Sequence, residues 1–196
     1  KITFKCIFLL AVLFIGSNMN AQDKPITFGV KAGINLSNLT GDGENGDAKV
    51  GFKAGVTLDY ALTQDLYLLP SLNYSLQGTK DSGVKLDLSY IQLPIHIGYK
   101  LAVTPETKIV FHAGPYLAYA ASGKWKSQGI SIDAFDDDIN NATADVIKLK
   151  RFDFGLGMGV GAEFGKIALD LGYDFGLANI YDGSLDGKLK NMNAYL

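Results

Sequence analysis

The chain has 196 residues, of which 47% are hydrophobic, 11% aromatic and 19% charged, and its formal net charge is −2. That apolar content excludes a disordered chain, the acidic balance excludes a nucleic-acid-binding footprint, and a single Cys excludes a disulfide framework or a cysteine zinc site. The 23 glycines have no Gly-X-Y period, so collagen is excluded and a glycine-rich, aromatic-rich β protein remains.

Lys1 and Lys5 lead into an unbroken apolar run, Cys6 to Ile15, followed by Gly16-Ser17-Asn18-Met19-Asn20-Ala21. A basic start, a short apolar stretch and a small-residue site predict a signal peptide over 1–21, cleaved after Ala21. A buried N-terminal element is the alternative. The run is too short for a membrane helix, which takes about 20 apolar residues. The remainder, 22–196, reads as one domain.

From Ile26 onward the chain alternates with period 2, the mark of strands with one apolar and one polar face. The first strand sets Ile26, Phe28, Val30, Ala32, Ile34 and Leu36 against Thr27, Gly29, Lys31, Gly33, Asn35 and Ser37. The second sets Val50, Phe52, Ala54, Val56, Leu58 and Tyr60 against Gly51, Lys53, Gly55, Thr57 and Asp59. The third carries Leu68, Pro70, Leu72, Tyr74 and Leu76 on its apolar face, the fourth Leu93, Ile95, Ile97 and Tyr99. Leu86, Leu88 and Tyr90 are out of phase with the latter, which predicts a bulge near Tyr90-Ile91. The fifth strand carries Ile109, Phe111, Ala113, Pro115, Leu117 and Tyr119. The sixth sets Phe152 to Ala162 against Arg151, Asp153, Gly155, Gly157, Gly159, Gly161 and Glu163; the seventh sets Ile167, Leu169, Leu171, Tyr173 and Phe175 against Asp170, Gly172 and Asp174. A short eighth sets Met192, Ala194 and Leu196 against Asn191, Asn193 and Tyr195. Pro70, Pro94 and Pro115 each remove a ladder donor inside a strand, an oddity that bulges would tolerate.

Every second connection is short. Residues 39–49, 122–150 and 178–188 are long and 78–85 medium, whereas 61–65, 101–107 and Gly165-Lys166 are short. Such alternation is the pattern of a membrane barrel with periplasmic turns and external loops. The polar face decides which side meets lipid. It mixes Lys31, Lys53, Asp59, Lys100, Arg151, Asp153, Glu163, Asp170 and Asp174 with many glycines, a composition suited to a narrow lumen. Aromatics such as Tyr60, Tyr74, Tyr99, Tyr119 and Phe152 suit interfacial girdles. The expected fold is all-β: an eight-stranded antiparallel up-and-down transmembrane β-barrel with both termini periplasmic.

An eight-stranded barrel is just wide enough for side chains to fill. Its charges should therefore pair, with Lys31, Lys53, Lys100 and Arg151 as the cations. A register centred on Gly165-Lys166 sets Glu163 opposite Ala168, Gly161 opposite Asp170 and Gly157 opposite Asp174. The glycine strip Gly155, Gly157, Gly159 and Gly161 should mark where the lumen is least filled, leaving room for Tyr67 and Tyr116 or for a small cavity. His96 and His112 both point inward; a hairpin centred at Thr104 sets them opposite, ~5 Å apart at Cβ. They are the candidate metal or proton-relay pair, weighed against two satisfied lumen histidines. The acidic stretch from Asp133 to Asn140 lacks the Gly and Glu of an EF-hand loop, so a solvated acidic loop is the stronger reading. Trp125, in the longest loop, is the candidate contact residue.

Phe28-Gly29-Val30-Lys31-Ala32-Gly33-Ile34-Asn35, Tyr90-Ile91-Gln92-Leu93-Pro94 and Phe154-Gly155-Leu156-Gly157-Met158-Gly159-Val160-Gly161, together with the Asn-Ala-Gln ending of the export segment, resemble the PorT-like outer-membrane β-barrel proteins often labelled "porin family". The resemblance spans nearly all of 22–196. It implies an outer-membrane barrel read by the barrel-assembly machinery through a C-terminal aromatic. The sequence given stops at Tyr195-Leu196, so a cut-short or incomplete last strand is expected. The expected role is structural, adhesive or partner-binding through external loops, with secretion as a variant and a narrow solute channel as the alternative. An enzyme needs a nucleophile, a His and a carboxylate together at a rim, which this reading does not provide. Expected partners are outer-membrane lipid, the assembly machinery and an external or periplasmic protein. No nucleic acid, no cofactor and no catalytic residue is expected.

Overall fold

The computed structural model describes residues 26–41, 47–81, 83–127, 130–135, 148–182 and 187–196, so the export segment lies outside the described residues. The strands are β1 (Ile26–Gly41), β2 (Asp47–Ala61), β3 (Leu66–Asp81), β4 (Val84–Thr104), β5 (Thr107–Ser127), β6 (Ile130–Asp133), β7 (Phe152–Phe164), β8 (Ile167–Gly176) and β9 (Leu189–Tyr195). All pairings are antiparallel. Neighbours run β1-β2-β3-β4-β5-β7-β8-β9, and β9 returns to β1, so eight strands close a ring while β6 pairs only with β5. At the seam Asn35 faces Tyr195, and Ile34 and Leu196 exchange two backbone hydrogen bonds of 2.9 and 3.0 Å.

The apolar face is the outer one. Val50, Ile167 and Leu169 are 68, 70 and 63% exposed, whereas Asp153 and Asn193 inside are 0 and 1% exposed. Water would penalise that outer surface at about 25 cal/mol per Å², and lipid removes the penalty. Outward aromatics sit at two levels. One rung runs Tyr74–Ile91–Tyr119–Phe152 and another Leu66–Tyr99–Phe111, eight residues apart on β4. At about 3.4 Å per residue, that spacing along tilted strands matches an apolar band ~25 Å tall.

The β7–β8 register follows the turn. Gly165 adopts φ +60°, which glycine accepts at no steric cost, and Glu163, Gly161 and Gly157 face Ala168, Asp170 and Asp174. The ladders thin beside the prolines: pairing is interrupted at Ser71–Leu72 opposite Leu93–Pro94, and at Ile95–His96 opposite Gly114–Pro115. The three missing donors are thus gathered on adjoining strands β3, β4 and β5.

Three expectations change. Leu86, Leu88 and Tyr90 are not displaced by a bulge in β4; the strand keeps its phase and they point inward, at 0 to 1% exposure. The bulge lies at that height on β5, where pairing steps from Tyr90–Ala120 to Ser89–Ser122 and leaves Ala121 over. Past it Gly123 and Trp125 turn inward. The segment from Ser122 is therefore not all loop: β5 runs to Ser127 and folds back into β6. Finally, the β4–β5 hairpin sets Gly98, not His96, opposite His112, because the turn falls at Pro105-Glu106.

Candidate functional site

The lumen is built in rungs, because residues facing each other across antiparallel strands share one face. At the end of the short turns, Lys100 of β4 reaches Asp59 of β2 and Glu163 of β7, each at 2.5 Å, with Nζ 4.6 Å from the centroid of the Tyr67 ring. The next rung holds the histidines. The imidazoles of His96 and His112 stack with centroids 5.0 Å apart, their Nδ1 atoms are 2.8 Å apart, and Nε2 of His112 lies 2.8 Å from Asp170 Oδ1. They meet on the diagonal, two residues off register, which long side chains can span. Lys31 donates to Ser71 Oγ at 3.1 Å.

Above this, Asp174 is the hub. It accepts from Lys53 Nζ at 3.0 Å, Gln92 Nε2 at 3.0 Å and Asn193 Nδ2 at 3.3 Å, while Lys53 lies 3.8 Å over the Tyr195 ring. Asn35 ties this rung to Asn193 and Ser75, at 3.0 and 3.1 Å. Among the described residues the following rung has a carboxylate and no cation: Asp153 accepts from Tyr116 Oη at 3.3 Å and Asn191 Nδ2 at 3.5 Å. Asn191 in turn donates to Gln77.

Beyond Asp153 the lumen turns apolar. Leu39, Leu86, Leu88, Tyr90, Tyr116, Ala118, Ala120, Ala134, Leu149, Ala178 and Ile180 form one buried cluster, with Trp125, Phe135 and Leu189 packed against it. This plug fills the end of the long connections. Period 2 inside the membrane band gives no hint of it, because above the band the inner face is a soluble-type core.

The predicted site residues therefore separate. Lys53, Asp59, Lys100, Glu163, Asp170 and Asp174 share lumen ion pairs. Lys31 and Asp153 rely on neutral partners. Arg151 stands at the rim, donating to Ala120 O at 3.2 Å and lying 4.1 Å over the Phe135 ring. Trp125 belongs to β5, opposite Leu86 and Ile132, and leans on the plug. Of the acidic stretch, Asp133 ends β6 and accepts from the Phe135 amide at 2.9 Å, while residues 136–140 lie outside the described residues.

The glycine strip is not an empty stripe. A Cβ on Gly155 would lie 2.7 Å from Tyr116 Cε1, one on Gly157 2.8 Å from His96 Nε2, and one on Gly159 2.6 Å from His112 Nε2. The strip is the shelf on which three rings lie. Tyr67 is not among them; it stacks under Lys100. The histidine nitrogens turn toward each other and Asp170, and His96 Nε2 is pressed against Gly157. Titration with Zn²⁺ is therefore expected to show no binding tighter than millimolar; a micromolar site lost in His112→Ala would reverse this assignment.

The family profile for the outer membrane protein beta-barrel domain matches residues 20–182. The chain belongs to this family. As an outer-membrane barrel it is similar in fold to Neisserial surface protein A, at 14% identity and TM-score 0.50, over 88% of this chain and 97% of that one. Other similar structures are Ail, the attachment invasion locus protein of Yersinia pestis (16% identity, TM-score 0.44, 88% of this chain and 95% of that one), and the N-terminal barrel of Pseudomonas aeruginosa OprF (11%, 0.36, 89% and 98%). No curated protein matches the sequence. The outward apolar face is thus the lipid-facing wall of an outer-membrane barrel, and its plugged end is the one that carries the long connections.

Proposed function

We propose that this outer-membrane barrel is a closed scaffold that does not conduct solutes and acts through its external end, binding a protein partner there. One observation carries the reading: the lumen is crossed by ion-paired rungs and then stopped by an apolar plug. β4 and β5 are each 21 residues long, about twice the length needed to cross the membrane, so together with β3 and β6 they raise a sheet beyond the lipid. That sheet, which packs Trp125 of its inner face against the plug, is the partner-binding element. The PorT-like resemblance supports a secretion-associated version. Export by the 1–21 segment and insertion by the barrel-assembly machinery belong to the same reading. The histidine rings lie inside the lumen, away from any rim nucleophile, which supports a non-catalytic role.

Planar-bilayer recording tests the proposal. Inserted barrels should show no unitary conductance steps. Regular steps in most insertions would overturn the closed scaffold and favour the narrow channel.

A further inference from the structure

The outer wall above the upper aromatic rung carries an unusual row of charge. Lys80 of β3 stands directly opposite Lys85 of β4, which stands directly opposite Lys126 of β5. Like charges opposed across a sheet destabilise it, so this row serves something other than strand pairing. Just below, a groove of about 450 Å³ opens on the same wall. Its polar lining is Lys49, Lys124, Lys126, Asp87, Ser89 and Ser122, and Val50 and Leu76 form its apolar part.

Two irregularities flank the groove at this height: the β2–β3 ladder slips between Ala48 and Lys53, and β5 bulges at Ala121. Bulges re-aim side chains, and here Lys124 and Lys126 are turned to the outer wall. Acidic neighbours neutralise the patch only in part. Asp87 pairs with Lys49 and, at 2.7 Å, with Lys126. Asp47 and Asp133 stand opposite Lys80 and Lys124, yet Lys80, Lys85 and Lys124 make no ion pair among the described residues.

We propose that this groove binds the phosphate-bearing headgroup of an outer-leaflet lipid. The position and the two-sided lining both select a lipid. Ser89 lies two residues, about 7 Å of strand, above Ile91 in the lipid-facing rung, which is headgroup depth. Lys85, Lys124 and Lys126 meet the phosphates and the Ser89 and Ser122 hydroxyls donate to them. Val50 and Leu76 continue the apolar wall on which the acyl chain lies. A soluble anion would use the lysines and leave that apolar part idle.

The test uses the whole chain in phosphatidylcholine nanodiscs doped with bisphosphorylated lipid A, with retained lipid counted by native mass spectrometry. Wild type should retain the phosphorylated lipid. Lys85→Gln/Lys124→Gln/Lys126→Gln should retain it about a hundredfold less, since each lysine near a charged surface adds about fivefold. Lys108→Gln/Lys166→Gln, at the opposite end, should match wild type. Single Lys124→Gln, with a smaller loss, serves if the triple variant folds poorly. Equal retention by the patch variants, equal loss in the control, or pyrophosphate bound as tightly in undoped nanodiscs would overturn the proposal. So would an acidic protein, rather than lipid, being displaced by the substitutions.

Discussion

Lys100→Met is expected to cost about 3–5 kcal/mol of unfolding free energy, the range for removing one partner from a buried ion pair. Among the described residues the ammonium is the sole cation paired with two carboxylates, Asp59 and Glu163, which come from β2 and β7 on either side of the lumen. Its side chain is 6% exposed, so no bulk water replaces it there. The carboxylates are 24 and 26% exposed and draw some hydration from the nearby mouth, which places the effect toward the lower end of that range. Urea titration of the barrel in lipid vesicles measures it. Lys100→Met/Asp59→Asn/Glu163→Gln should recover most of the loss, because no unpaired charge then remains. A single-variant loss under about 1 kcal/mol would show that the rung behaves as an exposed surface cluster instead.

The membrane-band half of this barrel was legible in the sequence, and the external half was not. Within the band, one physical rule holds from Ile26 to Phe175: even a short alternating segment separates lipid-facing from lumen-facing residues, and the Gly165-Lys166 turn pins the register of two strands. Glycines among Lys31, Asp153 and Asp174 already marked the polar face as the inner one. Above the band the rule reverses. Leu86, Leu88 and Tyr90 break phase with Leu93 and Ile95 because there the outer face is wet and the inner face is a core. The same reversal hid the upper part of β5. Ser122 and Gly123 read as the start of a loop, but a single extra residue, Ala121, flips the strand and sends Trp125 into the plug.

The candidate site was legible in its members more than in its pairings. The lumen charges came from phase alone, but which cation meets which carboxylate depends on strands distant in sequence, such as Lys53 with Asp174. The histidine pair shows both sides. Two inward imidazoles on neighbouring strands had to approach one another, yet a hairpin centre misjudged by one residue turns an opposed pair into a diagonal one. The outcome still brings their rings together, because the reach of the side chains exceeds the error in register.

Gly155→Val is expected to block assembly of the barrel, with a cost above about 4 kcal/mol, the exceptional class for a single substitution. A Cβ at Gly155 would stand 2.0 Å from the carbonyl oxygen of Phe175 and 2.7 Å from the Tyr116 ring. The first contact is with backbone, and Gly155 faces Gly176 in the β7–β8 ladder, so relief there means parting two strands. The second is with a ring that is both a member of the plug and a donor to Asp153, a residue that is 0% exposed and has no cation partner among the described residues. Moving Tyr116 would therefore strip a buried charge of one of its two side-chain donors and loosen the plug in one step. Gly161→Ala provides the contrast, since its nearest contacts are 2.9 Å to Leu169 O and 3.2 Å to Asp170 Oδ1, near the open mouth. Folded yield in lipid vesicles, read by the electrophoretic shift between unheated and heated samples, should be near zero for Gly155→Val and lowered only in part for Gly161→Ala, whose Cβ needs a small backbone shift at Leu169. Equal yields would mean that the strip is not a shelf for Tyr116 at all, and that the external end of the lumen is looser than its packing implies.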